Sequence, residues 1–206
     1  QSALLAEAFQ RTEGDAPTVD LAAEKRNGDF IRANHLLIRA CTDLSDGGLA
    51  LAAFEMAEAA GVGTAMHANL ERFLIGEQRQ PGSNPVHVQA NKMADVIIKN
   101  GLSKVSEVWA MEQSLYFPGL FSGTTDLVAV HDGEPAVCDY KQTNKPKKAE
   151  WVEDYYLQLM AYILAHNEVY GTDIRKGVIF MCSRAFEYQQ FTLEPKDFNK
   201  YQDLWL

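Results

Sequence analysis

The feature that most constrains this chain is the dipeptide Asp132-Gly133, set between two short apolar bursts, Gly123–His131 and Pro135–Lys141. Asp-Gly between such runs predicts a tight β-hairpin, because both central positions of its turn need positive φ. Positions symmetric about the turn then face each other. Asp126 and Asp139 each lie about six residues from it, so they are expected to be cross-strand neighbours. A third run, Val105–Phe117, predicts another strand with Glu112 near its middle.

The surrounding segments read as helices and further strands. Ala65–Ile75 and Pro85–Asn100 have helical apolar spacing, with a Pro-Gly loop between them and Gly101 as a stop. A long helix is expected from about Ala149 to Tyr170, closed by Gly171. Strands follow at Gly177–Cys182 and Tyr188–Leu193, and a last helix begins near Asp197. The order α-α-βββ-α-ββ-α predicts an α/β (α+β) fold, a mixed sheet flanked by helices.

Residues 1–62 have a different character. Asp20 is an N-cap for a helix over Leu21–Leu37, with Glu24 at the capping-box position. A strand at Leu36–Cys41, a turn at Asp43–Gly48 and an alanine-rich helix from Leu49 to about Ala60 follow, Gly61 being placed to end the helix. The chain is thus expected to divide near Gly61-Val62-Gly63 into a helix-strand-helix appendage, 1–62, and a domain, 63–206. The stretch from Pro17 to Gly61 resembles part of the C-terminal lobe of phosphoribosylformylglycinamidine synthase, with Thr42 where that family usually has histidine. The resemblance implies a fragment without chemistry of its own. Gly47-Gly48 reads as a helix-starting turn, although such a turn can also bind an anion.

Composition narrows the function. The 206 residues carry a net charge of −9, with ten acids and five bases through Val62 and eighteen acids and fourteen bases thereafter. That balance argues against a passive nucleic-acid coat, but not against an enzyme that gathers carboxylates around cations. Cys41, Cys138 and Cys182 are odd in number and far apart, which argues against a disulfide framework or a zinc ribbon and for a reducing, intracellular setting, the cytoplasm of a bacterium or of a phage-infected cell. No apolar run suggests a membrane span or a signal peptide.

The chemistry concentrates on the hairpin. Asp139 and Lys141, two apart on a strand, point to one face. Two neighbouring carboxylates repel unless a cation lies between them, and hard cations such as Mg2+ or Mn2+ prefer oxygen ligands. A lysine beside them can position or help deprotonate an attacking water, or stabilise charge on a phosphate. Glu112 is either a ligand, a support for one, or a solvated strand residue.

This pattern, Thr124-Thr125-Asp126 with Asp139-Tyr140-Lys141, resembles the PD-(D/E)XK nuclease superfamily. Two outlying motifs resemble its RecB-like exonucleases: Gly63-Thr64 through His67 to Leu70-Glu71, and Gln158 with Tyr162 on one helix face. Thr143, Lys145 and Pro146 extend the similarity to the mitochondrial genome maintenance exonuclease type and its phage relatives. The resemblance implies Asp126, Asp139 and Lys141 as catalytic residues. It implies His67, Asp126, Asp139 and Glu112 around the metal, and Gln158, Tyr162, Thr143 and Lys145 as contacts to DNA or braces of the site. The implied activity is Mg2+- or Mn2+-dependent exonucleolytic hydrolysis of DNA, on single strands or ends, in recombination or repair. Lys145, Lys147 and Lys148 form a basic cluster for phosphates or a solvated loop, and Trp151, Tyr155 and Tyr156 either stack on bases or pack in the core. A non-catalytic DNA-binding module and a purine-synthesis fragment in name only are the alternatives.

Overall fold

The computed structural model describes residues 22, 25, 26, 29, 30, 33, 48–79, 82 and 84–206. The chain divides into two compact units, Gln1–Gly61 and Val62–Leu206. In the first, the described residues between 22 and 33 are helical, and Lys25 and Asp29 form an i,i+4 ion pair. The strand expected at 36–41 and the turn expected over 43–47 lie outside the described residues.

Helix α1 runs over Gly48–Leu74 without a break at Gly61. This corrects two expectations, a helix ending at Gly61 and a separate one starting at Ala65. A glycine ends a helix by adopting positive φ, and neither Gly61 nor Gly63 does so, whereas Gly76, just beyond the helix, has φ 73°. Val62, Met66 and Leu70, each fully buried, form an i, i+4, i+8 stripe that begins directly after Gly61. Each buried side chain contributes roughly 1.5–3 kcal/mol. That outweighs the cost of about 1 kcal/mol for each helical glycine.

Helix α2, Pro85–Asn100, is capped by Asn84, whose side chain accepts from the His87 N–H, and its Ala90, Met93, Ala94 and Ile97 are buried. Three strands follow: β1 (Val105–Phe117), β2 (Phe121–His131) and β3 (Glu134–Thr143). The β2–β3 turn is Asp132 (φ 50°) and Gly133 (φ 80°), and its register runs from His131↔Glu134 to Leu127↔Cys138. Helix α3 (Glu153–Tyr170), capped by left-handed Gly171, leads to β4 (Lys176–Ser183), which pairs in parallel with β3. Strand β5 (Tyr188–Leu193) and helix α4 (Phe198–Trp205) complete the fold. The sheet order is β1-β2-β3-β4-β5. The long helix expected from Ala149 starts at Glu153, after a separate 3-10 turn at Ala149–Trp151.

Strand alternation separates two cores. Leu127, Ala129, Cys138, Tyr140 and Phe180 pack with Val62, Met66 and Leu70 of α1 and with α2. Val128, Val137, Ile179 and Met181 pack with Leu159, Met160 and Ile163 of α3 and with Phe198 and Tyr201 of α4. All eight residues of β4 are buried, as expected for a central parallel strand.

At the hairpin end His131 is fully buried, 5.4 Å from the Phe180 ring, with neither ring nitrogen hydrogen-bonded among the described residues. Burial holds its imidazole below the ordinary value of 6.5. As pH falls, the unfolded chain therefore takes up this proton first. The stabilisation is complete above about 6.5 and is lost as pH falls through the lower folded value. Urea unfolding at pH 7.5 and 5.5 should show a smaller acid-side loss of midpoint for His131→Phe than for the wild type; equal losses would exclude His131 as a source.

Candidate metal centre

The site forms where the register of β2 and β3 ends. Beyond Leu127↔Cys138 no further pair continues the ladder. There Oδ2 of Asp126 accepts the backbone N–H of Tyr140 at 2.7 Å. The side chain thus takes the place of a ladder hydrogen bond, which fixes its orientation and leaves Oδ1 for other partners.

His67, from α1, approaches the same peptide. Its Nε2 lies 3.0 Å from the Tyr140 carbonyl oxygen, which can only accept, so Nε2 carries the hydrogen. In the neutral ring Nδ1 then bears the lone pair, and it lies 3.5 Å from Oδ1 of Asp126. Two electron-rich atoms at that separation need a proton or a cation between them. Burial lowers the His67 pKa, but the Asp126 carboxylate and then Asp139 outweigh burial and raise it. A backbone carbonyl that orients a histidine by its far nitrogen is the usual support of a metal-binding imidazole.

Glu112 completes the group. Ligand atoms of His67, Glu112 and Asp126 lie within 4.8 Å of one another. The β1–β2 register shifts between Val105 and Glu107 and again between Val108 and Ala110, then runs regularly through Met111↔Leu127 and Gln113↔Thr125. These bulges bring Glu112 opposite Asp126. Glu112 itself has φ 45°, an uncommon conformation for a residue other than glycine. Burial, then the charges of Asp126 and Glu71, raise its carboxyl pKa. Gly63, Thr64, His67, Ala68, Glu71 and Glu112 line an open cleft of about 340 Å³. One imidazole nitrogen and two carboxylates, with His67 and Glu112 on an open cleft, fit a divalent cation with room for further ligands.

Asp139 and Lys141 lie beside this group but make a pair of their own. Lys141 Nζ is 2.5 Å from Oδ2 of Asp139, and the Asp139 carboxylate is not part of the three-residue group. Burial raises the Asp139 carboxyl while Lys141 opposes the rise. For Lys141, burial lowers the amine, but Asp139 outweighs it and keeps the ammonium charged. A charged ammonium donates hydrogen bonds and stabilises anions; it is not a base.

The remaining residues are spread around the centre. Gln158 Nε2 donates to the Tyr162 hydroxyl at 3.4 Å. Tyr162 lies against Gly123 of β2, where an added Cβ would sit 2.9 Å from its ring. Thr143 Oγ1 donates to the Lys145 carbonyl at 2.8 Å and shapes the turn after β3, while the Lys145 side chain is exposed. Sequence reasoning missed the part played by the Tyr140 main chain, since no side-chain identity signals it. It also missed Gln189 of β5. The Gln189 amide accepts the Lys147 N–H at 2.7 Å and donates to the Lys147 carbonyl at 2.8 Å, pinning the loop after β3. A pairing across 42 residues leaves no local pattern in the sequence.

A five-stranded mixed sheet with helices on both faces, carrying a His-Glu-Asp group and an Asp-Lys pair at one fork, is the architecture of a PD-(D/E)XK-like domain. Residues 87–203 match the PD-(D/E)XK nuclease superfamily, and residues 1–139 match the AIR synthase related protein, C-terminal domain. The chain belongs to the PD-(D/E)XK nuclease superfamily, joined to an N-terminal segment of the AIR synthase C-terminal type. A solved structure described as a candidate exonuclease of Eubacterium rectale aligns with 85% of this chain and 69% of its own, with a TM-score of 0.52 at 13% identity. That likeness is one of fold.

Among curated relatives, the phosphoribosylformylglycinamidine synthase subunits PurL of Ruegeria pomeroyi and Roseobacter denitrificans are 67% and 65% identical over 79 residues. Those residues are 38% of this chain, which spans 11% of the length of either relative. Among the described residues no helix is long and apolar enough to cross a membrane.

Proposed function

We propose that residues 63–206 are a magnesium- or manganese-dependent deoxyribonuclease that works as an exonuclease on single strands or DNA ends, in recombination or repair, and that residues 1–62 carry no activity of their own. The observation that supports this most is the clustering of His67, Glu112 and Asp126 beside the Asp139–Lys141 pair. His67, Glu112 and Asp126 would hold the cation, with Asp139 next to Asp126 within reach of a second ligand role. When bound, a divalent cation there lowers the pKa of water and offsets charge on a phosphodiester.

The protein's own groups do the rest. The Lys141 ammonium donates to a non-bridging phosphate oxygen, where negative charge grows as water adds to phosphorus and the P–O bond to the leaving nucleoside breaks. The Tyr140 peptide holds His67 and Asp126 in place through that change. Gln158 and Tyr162 brace β2 at Gly123.

The test is nucleotide release from end-labelled single-stranded and duplex DNA with Mg2+, Mn2+ or EDTA. Release with either cation and none in EDTA is expected, with the label position giving the end attacked. A parallel thermal melt should show Mn2+ raising the midpoint, since a ligand that binds only the folded state stabilises it. No release and no cation-dependent shift would overturn the proposal.

A further inference from the structure

The end of β3 and the loop that follows it place cations over aromatic faces next to the candidate site. Lys141 Nζ lies 5.4 Å and Lys147 Nζ 5.7 Å from the centre of the Tyr155 ring. One turn earlier, Lys148 Nζ lies 5.3 Å from the Trp151 ring, which is 57% exposed. Lys148 also lies 3.8 Å from Glu150, an exposed pair that holds it only weakly. The Gln189 amide grips both polar groups of the Lys147 peptide, so the segment carrying these cations is fastened to β5.

We propose that Tyr155 and Trp151, with Lys147 and Lys148, form a binding lane for unpaired bases of a single-stranded DNA that leads to Lys141. The inference rests on the nuclease reading and names the form of substrate that this site takes. Two aromatic rings four residues apart, Tyr155 half-buried with two ammonium groups over it and Trp151 exposed with one, match a strand that alternates flat bases with phosphates. Paired bases inside a duplex keep their faces stacked on one another, so away from duplex ends a ring can stack only on unpaired ones. Trp151 keeps more than half of its surface exposed, and a partner that covers it gains its apolar face.

The experiment measures affinity in EDTA at low salt, where no hydrolysis is expected. The probes are a fluorescent (dT)20 and a 20-mer of abasic sites with the same phosphates and no bases. Wild type should prefer (dT)20 by about tenfold, on the scale of stacking on one or two rings. Trp151→Leu and Tyr155→Leu should lose most of that preference, and Trp151→Phe should keep it. Lys147→Ala should weaken both probes alike.

Equal affinity of the wild type for the two probes, failure to bind either, or an undiminished preference in Trp151→Leu overturns the lane. Equal affinity together with metal-dependent cleavage would leave the nuclease standing without the lane. Preference for bases with neither cleavage nor a cation-dependent melting shift would support the lane and sink the nuclease.

Discussion

Asp126→Asn should abolish metal-dependent nucleotide release, on the order of a thousandfold or more, while leaving the protein about as stable as the wild type. The two oxygens of Asp126 have separate partners. Oδ2 accepts the Tyr140 N–H, and Oδ1 faces Nδ1 of His67. An asparagine can keep the first contact through its carbonyl and turn its amide N–H toward the His67 lone pair. A hydrogen bond then fills the space in which a cation would sit. Asp126→Ala removes both contacts and strands a backbone N–H at the sheet fork, at a cost of about 1–3 kcal/mol. Alanine should thus lose activity and stability, asparagine activity alone. Nucleotide release with Mn2+ and urea midpoints for both variants separate the two roles. Activity of Asp126→Asn within tenfold of the wild type would remove Asp126 from the metal.

This separation was partly visible in the sequence. Asp132-Gly133 has the positive φ pair that a two-residue hairpin needs, so a register that points Asp126 toward Asp139 follows from local chemistry, although the ladder ends one pair short of them, at Leu127↔Cys138. His67 was found through its motif, but its tautomer is set by a carbonyl 73 residues away. Glu112 remained open because the bulges in β1 set its register, and nothing in Val105–Phe117 marks where they fall. Gly61 misled for the opposite reason. It is a local stop signal overridden by Val62, Met66 and Leu70, whose burial only the tertiary structure decides. Asp139 was expected as a metal ligand; in the structure its Oδ2 pairs with Lys141, which leaves the second carboxylate oxygen for that role.

Lys141 is where catalytic and structural roles are hardest to tell apart, and a double variant resolves them. Lys141→Ala should reduce nucleotide release by about a hundredfold to a thousandfold, the range for removing one donor to a developing anion. It should also destabilise the fold. Asp139 is buried, with a side chain 6% exposed, and Lys141 opposes the burial that raises its carboxyl. Breaking such a pair from one side costs up to about 3–5 kcal/mol, less here because the lysine side chain is 22% exposed. Adding Asp139→Asn removes the stranded charge, so the double variant should recover much of the lost stability. It should not recover activity, because no ammonium remains to meet the phosphate. Urea midpoints and Mn2+-dependent release for the two single variants and the double variant complete the cycle. Recovery of stability without activity shows that the loss in Lys141→Ala is not one of folding, and release by Asp139→Asn alone above that of the double variant assigns Lys141 to the chemistry; recovery of both would mean that the lysine only neutralises Asp139, and the reacting phosphate would need another donor.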